Sequence, residues 1–252
     1  MARVTFPKIG EKHRFAPLFT AAQRMKGKPK LPEKIIFVYS SKLERMIKEN
    51  LKLVEFHHPA GLTTATDFTK HMTRDKKLAL VKLSLGAPFT AIMMEDAIAC
   101  GGKEFLILGT AGAINDNMLI SDVVLCSKAV RDEGTSHHYI KTSTYIYPDK
   151  SMMHMLDDAL SANGIEFSKG ATWTTDAVYA ETVKEVKHYR KIGIQTVEME
   201  AAALFAVARK RKVRAAAVFT ISDVLGKEWS GFAKGYEKYK KLAEIAGIFK
   251  SL

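Results

Sequence analysis

At 252 residues, 47% apolar and 26% charged, the chain has globular composition and can bury a sizeable core; this length suits one α/β domain without excluding two. No apolar run is long enough to span a bilayer, and Cys100 and Cys126 lie in apolar stretches, which suits a reducing, cytoplasmic setting rather than a disulfide scaffold. The formal charge of +12 raises nucleic acid as a partner, but +7 of it falls in residues 1–34, and no basic stripe interleaved with stacking aromatics follows.

Residues 1–34 read as a basic N-terminal arm in which nine Lys and Arg face only Glu11 and Glu33. It has four prolines and no apolar h-region, so it does not read as a cleaved targeting peptide. Residues 35–252 read as a single domain. Ile35 to Tyr39 is the first clear strand, followed by Ser40, Ser41 and a helix to about Asn50. Backbone N–H groups at that helix start can hold an anion beside Lys42 or Arg45, although Ser there is also an ordinary N-cap. Residues 52–84 read as several strands, the last being Leu78 to Leu85. Gly86-Ala87-Pro88 breaks it, and a helix over Phe89 to Cys100 ends at Gly101-Gly102.

Phe105 to Leu108 is the next strand, running into Gly109-Thr110-Ala111-Gly112, read as a turn whose small residues let a ligand approach the backbone. Ser121 to Val130 is a strand leading to Arg131 and on to His137, His138 and Tyr139. Adjacent histidines point different ways, so a metal site there would need ligands the sequence does not offer, and none is expected. Ser151 to Asn163 reads as a helix and Gly170 to Thr175 as a strand. Val178 and Tyr179 are placed at another strand end, where the aromatic faces either a base or the core.

Glu198 and Glu200 open an apolar run in which Ala201, Leu204, Phe205 and Ala208 recur at helical spacing, which puts both acids in the first turn of a buried helix. Val213 to Ile221 then reads as a fully buried strand ending in Ser222 and Asp223. Ligands of open α/β sheets bind at the C-terminal strand edge, so Glu198, Glu200 and Asp223 are expected to approach one pocket. Each is also a residue type that commonly caps helices and strands. A last helix is read from Phe232 to Phe249.

Four segments, GTAGAIND, AVRDEGTSHHY, VEMEAAALFAVA and ISD, resemble in order and spacing the nucleoside phosphorylase family, which includes uridine phosphorylases, hexameric purine nucleoside phosphorylases and nucleosidases. The resemblance spans roughly residues 34–225. It implies a three-layer α/β/α fold with a mixed central β-sheet and a homo-oligomer, a dimer or trimer of dimers, with active sites at subunit contacts. It implies cleavage of a nucleoside N-glycosidic bond by inorganic phosphate as co-substrate, with no cofactor. Such a reaction builds positive charge on the sugar and negative charge on the departing base, and the site must answer both.

By the same resemblance, Met199 packs against ribose while Glu200, with Glu198 as partner, binds its hydroxyls. Thr110 contacts phosphate or ribose, and Asp223 hydrogen-bonds or protonates a purine at its imidazole nitrogen. Val178, Tyr179, Val197 and Gly112 line the base, and a neighbour's His13 reaches the ribose 5′ end. Thr182 and Lys184 stand where uridine-specific relatives carry a Gln and an Arg, which favours purine over uridine. Ile107 replaces the phosphate-binding Arg, and Tyr39-Ser40-Ser41-Lys42 replaces a Gly-Asp-Pro turn. Phosphate is then left to Thr110, Ser40, Ser41, Lys42 and Arg45. The alternatives are a nucleosidase using water, a non-catalytic nucleoside-binding protein and, since the RDEGTSHHY segment resembles the uridine branch more, uridine as the substrate.

Overall fold

A computed structural model describes residues 9–56, 70–226 and 229–252. Arm residues 1–8, and the 57–69 portion of the stretch read as several strands, lie outside them. A 3₁₀ turn (Ile9–Arg14) and α1 (Ala21–Arg24) precede β1 (Lys34–Val38), α2 (Ser41–Asn50), β2 (Val54–Glu55), β3 (Lys70–Met72), β4 (Leu78–Lys82), α3 (Ala87–Ala99) and β5 (Glu104–Ala113). Next come β6 (Val123–Asp132), α4 (Ser136–Tyr139), β7 (Tyr145–Ile146), α5 (Lys150–Ala162) and β8 (Ser168–Thr175). A second 3₁₀ turn (Val178–Ala180), α6 (Val183–Lys191), β9 (Ile194–Glu198), α7 (Ala201–Arg211), β10 (Arg214–Val224) and α8 (Glu237–Ser251) follow.

The strands form one mixed sheet in the order β10-β6-β8-β9-β5-β1-β4-β3-β2, with β10 also pairing β5, so five of them close into a ring. The long β5 makes this possible. One edge runs parallel to β10 throughout; the other runs parallel to β1 at Glu104–Ile107 and then antiparallel to β9 at Gly112–Ala113. A strand buried on both faces needs apolar residues at every position, which is why β1 and β5 read as continuous apolar runs. Ile35, Phe37, Phe105 and Ile107 join the core layer that holds Met94, Leu204 and Phe205 of α3 and α7. Ile36, Val38, Leu106 and Leu108 join the layer that holds Leu43, Leu156, Leu242 and Phe249 of α2, α5 and α8. The result is the expected three-layer arrangement around a mixed sheet.

Several boundaries move. The GTAG segment is not a turn but the interior of β5. Glu198 is the last residue of β9 and Glu200 the N-cap of α7, so neither lies in the helix's first turn. The last helix begins at Glu237 rather than Phe232. The C-terminal part of the basic arm is docked: Thr20 and Gln23 form a capping box, Met25 and Leu31 are buried, and Leu31 N donates to Cys100 O at 2.9 Å. Arg24 pairs with the buried Asp96 of α3. Among the described residues no helix is long and apolar enough to cross a membrane.

Candidate active site

The site begins with strand register. Gly112 of β5 is partnered by Val197 on β9 and by Asp223 on β10, which enters after a register break at Ile221/Asp223. A Cβ on Gly112 would lie 2.5 Å from Leu225 Cδ1, 3.2 Å from Val197 Cγ1 and 3.3 Å from Asp223 Oδ2. Only glycine fits there, because the space a side chain would need is taken by Leu225, with Val197 and Asp223 Oδ2 packed beside it. Asp223 is buried. Ser222 Oγ donates to its Oδ1 at 2.7 Å and Trp229 Nε1 to its Oδ2 at 2.9 Å.

Two further acids stand where β9 gives way to α7. Glu198 Oε2 accepts the backbone N–H groups of Glu200 and Ala201, each at 2.7 Å, while Oε1 takes the Thr174 hydroxyl. Its anion therefore caps α7, where the helix dipole also favours negative charge. The chain's own donors already fill the acceptor positions the resemblance assigned to ribose. Glu200 accepts from Gly86 N at Oε1 at 2.7 Å and from the Met199 backbone, while its side chain caps no α7 amide.

Burial pushes the pKa of both carboxyls up, and the charge of Glu198 pushes Glu200 further. Because Thr172 Oγ1, at 3.5 Å, adds a fourth donor around Glu198, we assign the retained charge to Glu198 and the more easily protonated state to Glu200. Tyr39, at the end of β1, bonds Thr90 Oγ1 at 2.9 Å; burial and then Glu200 raise its phenol well above the usual range. Thr110, half-buried on β5, stands in register with Thr220. Met199 is half-buried between the two acids in sequence.

The edge assigned to phosphate is more open. Ser40 is an N-cap whose Oγ accepts from Leu43 N at 3.4 Å. Ser41 Oγ accepts from Lys82 Nζ at 3.2 Å, Lys42 Nζ lies 5.1 Å from the centre of the Tyr236 ring, and Arg45 is exposed one turn into α2. Ile107 is fully buried in the core, so no cation can approach from its position. Lys82 was missed because it closes an apolar strand and reads as the strand's solvent end. Its register partner Val38, at the end of β1, carries the only hint.

Other predicted residues fall elsewhere. Val178 and Tyr179 lie in a 3₁₀ turn rather than at a strand end, and both are exposed, Tyr179 fully, so neither packs in the core. A short polar connection between β8 and α6 replaced the strand that their apolar character suggested. Glu181, two residues on, is the member of this segment that approaches the acid cluster: burial and then Asp223 push its carboxyl up to about 7. Nothing in its polar surroundings marked it in sequence.

Thr182 caps α6 in a box with Glu185. His13 accepts at its carbonyl from Lys210 Nζ at 2.8 Å, at the far end of α7, roughly 15 Å from Glu200 at 1.5 Å per residue. His137 is bound through Nε2 to Arg131 O at 3.1 Å, and among the described residues no group of three His, Cys, Asp or Glu is placed to hold a metal.

Residues 35–248 match the family described as the phosphorylase superfamily. A guanosine phosphorylase from Halorubrum lacusprofundi is 32% identical over 169 residues, 67% of this chain and 69% of its own. A uridine phosphorylase from Haemophilus influenzae is 26% identical over 180 residues, 65% of this chain and 71% of its own. Among solved structures, an AMP nucleosidase from Bacteroides thetaiotaomicron superposes with a TM-score of 0.70 at 20% identity, covering 87% of each chain.

Proposed function

The chain belongs to the phosphorylase superfamily, and we propose that it cleaves purine nucleosides with inorganic phosphate, giving the free base and ribose 1-phosphate. The observation that carries this reading is the strand register that brings Asp223 and Val197 together across Gly112, with the buried Glu198 and Glu200 one and three residues beyond Val197. A purine seated there presents its imidazole nitrogen to Asp223, which hydrogen-bonds or protonates it as the C1′–N9 bond breaks. Glu200 hydrogen-bonds the ribose hydroxyls as positive charge grows on the sugar, and Glu198 positions it through the α7 cap. A phosphate oxygen attacks C1′ from the side of Thr110, with Ser41, Lys42 and Lys82 supplying donors and charge. Likeness to a guanosine phosphorylase supports a purine base. No cofactor enters this chemistry, and the working form is a homo-oligomer.

Hydrolysis is the second reading, favoured by one observation: the buried Ile107 denies phosphate a cation at that position. Incubation with inosine, guanosine, adenosine and uridine, with and without phosphate, separates the two. Ribose 1-phosphate that forms only when phosphate is present supports phosphorolysis. Free ribose at the same rate in its absence supports the hydrolase and sinks the lead reading. Nucleoside-dependent thermal stabilisation with no product over hours would leave a binding protein.

A further inference from the structure

We propose that Trp229 is a displaceable partner of Asp223: its indole N–H occupies Oδ2 and gives way when a purine base arrives. This rests on the purine reading above and adds a residue that the reaction alone does not require. Oδ1 and Oδ2 of Asp223 are not equivalent. Oδ1 is held by the hydroxyl of the preceding residue, Ser222, whereas Oδ2, which faces Gly112, takes its hydrogen bond at 2.9 Å from the indole N–H of a largely exposed residue. A base that needs a hydrogen bond or proton from Asp223 therefore contests the same oxygen. Once it carries a proton, that oxygen is also a weaker acceptor for the indole, so loading and release favour each other.

The surroundings let the side chain move while the backbone stays. Ser230 ties the segment to β10 twice, with Val224 N donating to Ser230 Oγ at 2.8 Å and Ser230 N to Val224 O at 3.1 Å; Ala233 N donates to Ser222 O at 2.7 Å. Trp229 nevertheless keeps 59% of its surface exposed, meeting Phe232 edge-on with ring centres 5.0 Å apart. Among the described residues, rotation about its side-chain bonds breaks the hydrogen bond to Asp223 and the contact with Phe232.

Trp229 is one of only two tryptophans, and the other, Trp173, is buried with its N–H on Asp132. Emission changes at Trp229 can therefore be read as the difference between the parent chain and Trp229→Phe. Inosine or hypoxanthine is expected to change the parent's emission and leave the variant's unmoved, while uridine, which has no imidazole nitrogen, moves neither. Removing a competitor worth one ordinary hydrogen bond should lower the variant's KM for inosine by about 3- to 10-fold with kcat retained. A variant with raised KM or reduced kcat would show that Trp229 merely supports Asp223, and would overturn the proposal. So would a parent emission that ignores hypoxanthine while inosine is turned over normally. A parent that neither cleaves inosine nor responds to hypoxanthine removes the purine reading and this inference together.

Discussion

Asp223 and Lys82 both stand at C-terminal ends of parallel strands, yet the chain holds them in different ways. Asp223 is buried, fixed by Ser222 and Trp229, and set against Gly112 by pairing across β5. Lys82 is half-exposed and holds one contact, to an exposed serine hydroxyl. The acids occupy positions that strand register dictates, inside the core, where a shift of one residue would turn each side chain to the other face. The cations lie on long, solvated side chains at the rim. In the reaction proposed above, base and sugar would be served by rigid, desolvated groups and the anion by adaptable, screened ones. A rim of lysines can be rebuilt without disturbing the sheet, whereas a cation at the buried position of Ile107 could not.

Substitutions on the two sides should differ accordingly. The largest effect is expected from Asp223→Asn, which keeps the shape but not the proton chemistry. It should lower kcat/KM for purine nucleosides roughly 100- to 10,000-fold; a loss below tenfold would move base activation elsewhere. Glu198→Ala should act on stability first. It strands two buried amides of α7 and the Thr174 hydroxyl, a loss on the order of 3 kcal/mol by urea unfolding. Glu198→Gln, which retains one acceptor, should lose less.

On the rim, Lys82→Ala should raise KM for phosphate about 2- to 5-fold, leave binding of free base unchanged, and lose its effect as salt is added. An equal change in base binding would put Lys82 on the wrong side of the comparison. The smallest effect concerns Glu181, which is partly solvated. Its folded-state carboxyl is raised from 4.5 to about 7, so in that window the native chain holds more protons than the unfolded one. Its contribution to stability is present below pH 4.5 and is lost as pH rises through 7. Glu181→Gln should flatten that part of the stability profile, and an unchanged slope would assign it to Glu198 and Glu200.

Much of the architecture was legible because burial on both faces writes itself as unbroken apolar sequence. β1, β5 and β10 and the helices α3 and α7 were visible for that reason, and α2 through the serine cap that follows β1. The acids Glu200 and Asp223 were visible because charge beside such runs is conspicuous. The glycines of β5 misled, since Gly112 serves close approach between strands and not a change of direction; composition cannot separate those uses. β9 went unseen because Ile194–Glu198 is short and abuts α7, so its last acid was absorbed into the helix. Val178 and Tyr179 looked like a strand end because apolar residues there are exposed instead of buried. Glu181 and Lys82 become site residues only through contacts made across the fold, which local pattern does not encode.

The docked stretch between Thr20 and Leu31 bears on how this protein is handled at the bench. Trimming the first 34 residues as if they were a loose tail would take away the guanidinium that neutralises Asp96 and open a greasy seam on α3 where Met25 and Leu31 now sit. An insoluble or sticky product would then mimic the loss of a biological role. A shorter cut, ending before the capping box at Thr20, removes Arg3, Lys8, Lys12 and Arg14 while sparing that seam, and is the cleaner way to ask whether the positive leader binds anything at all.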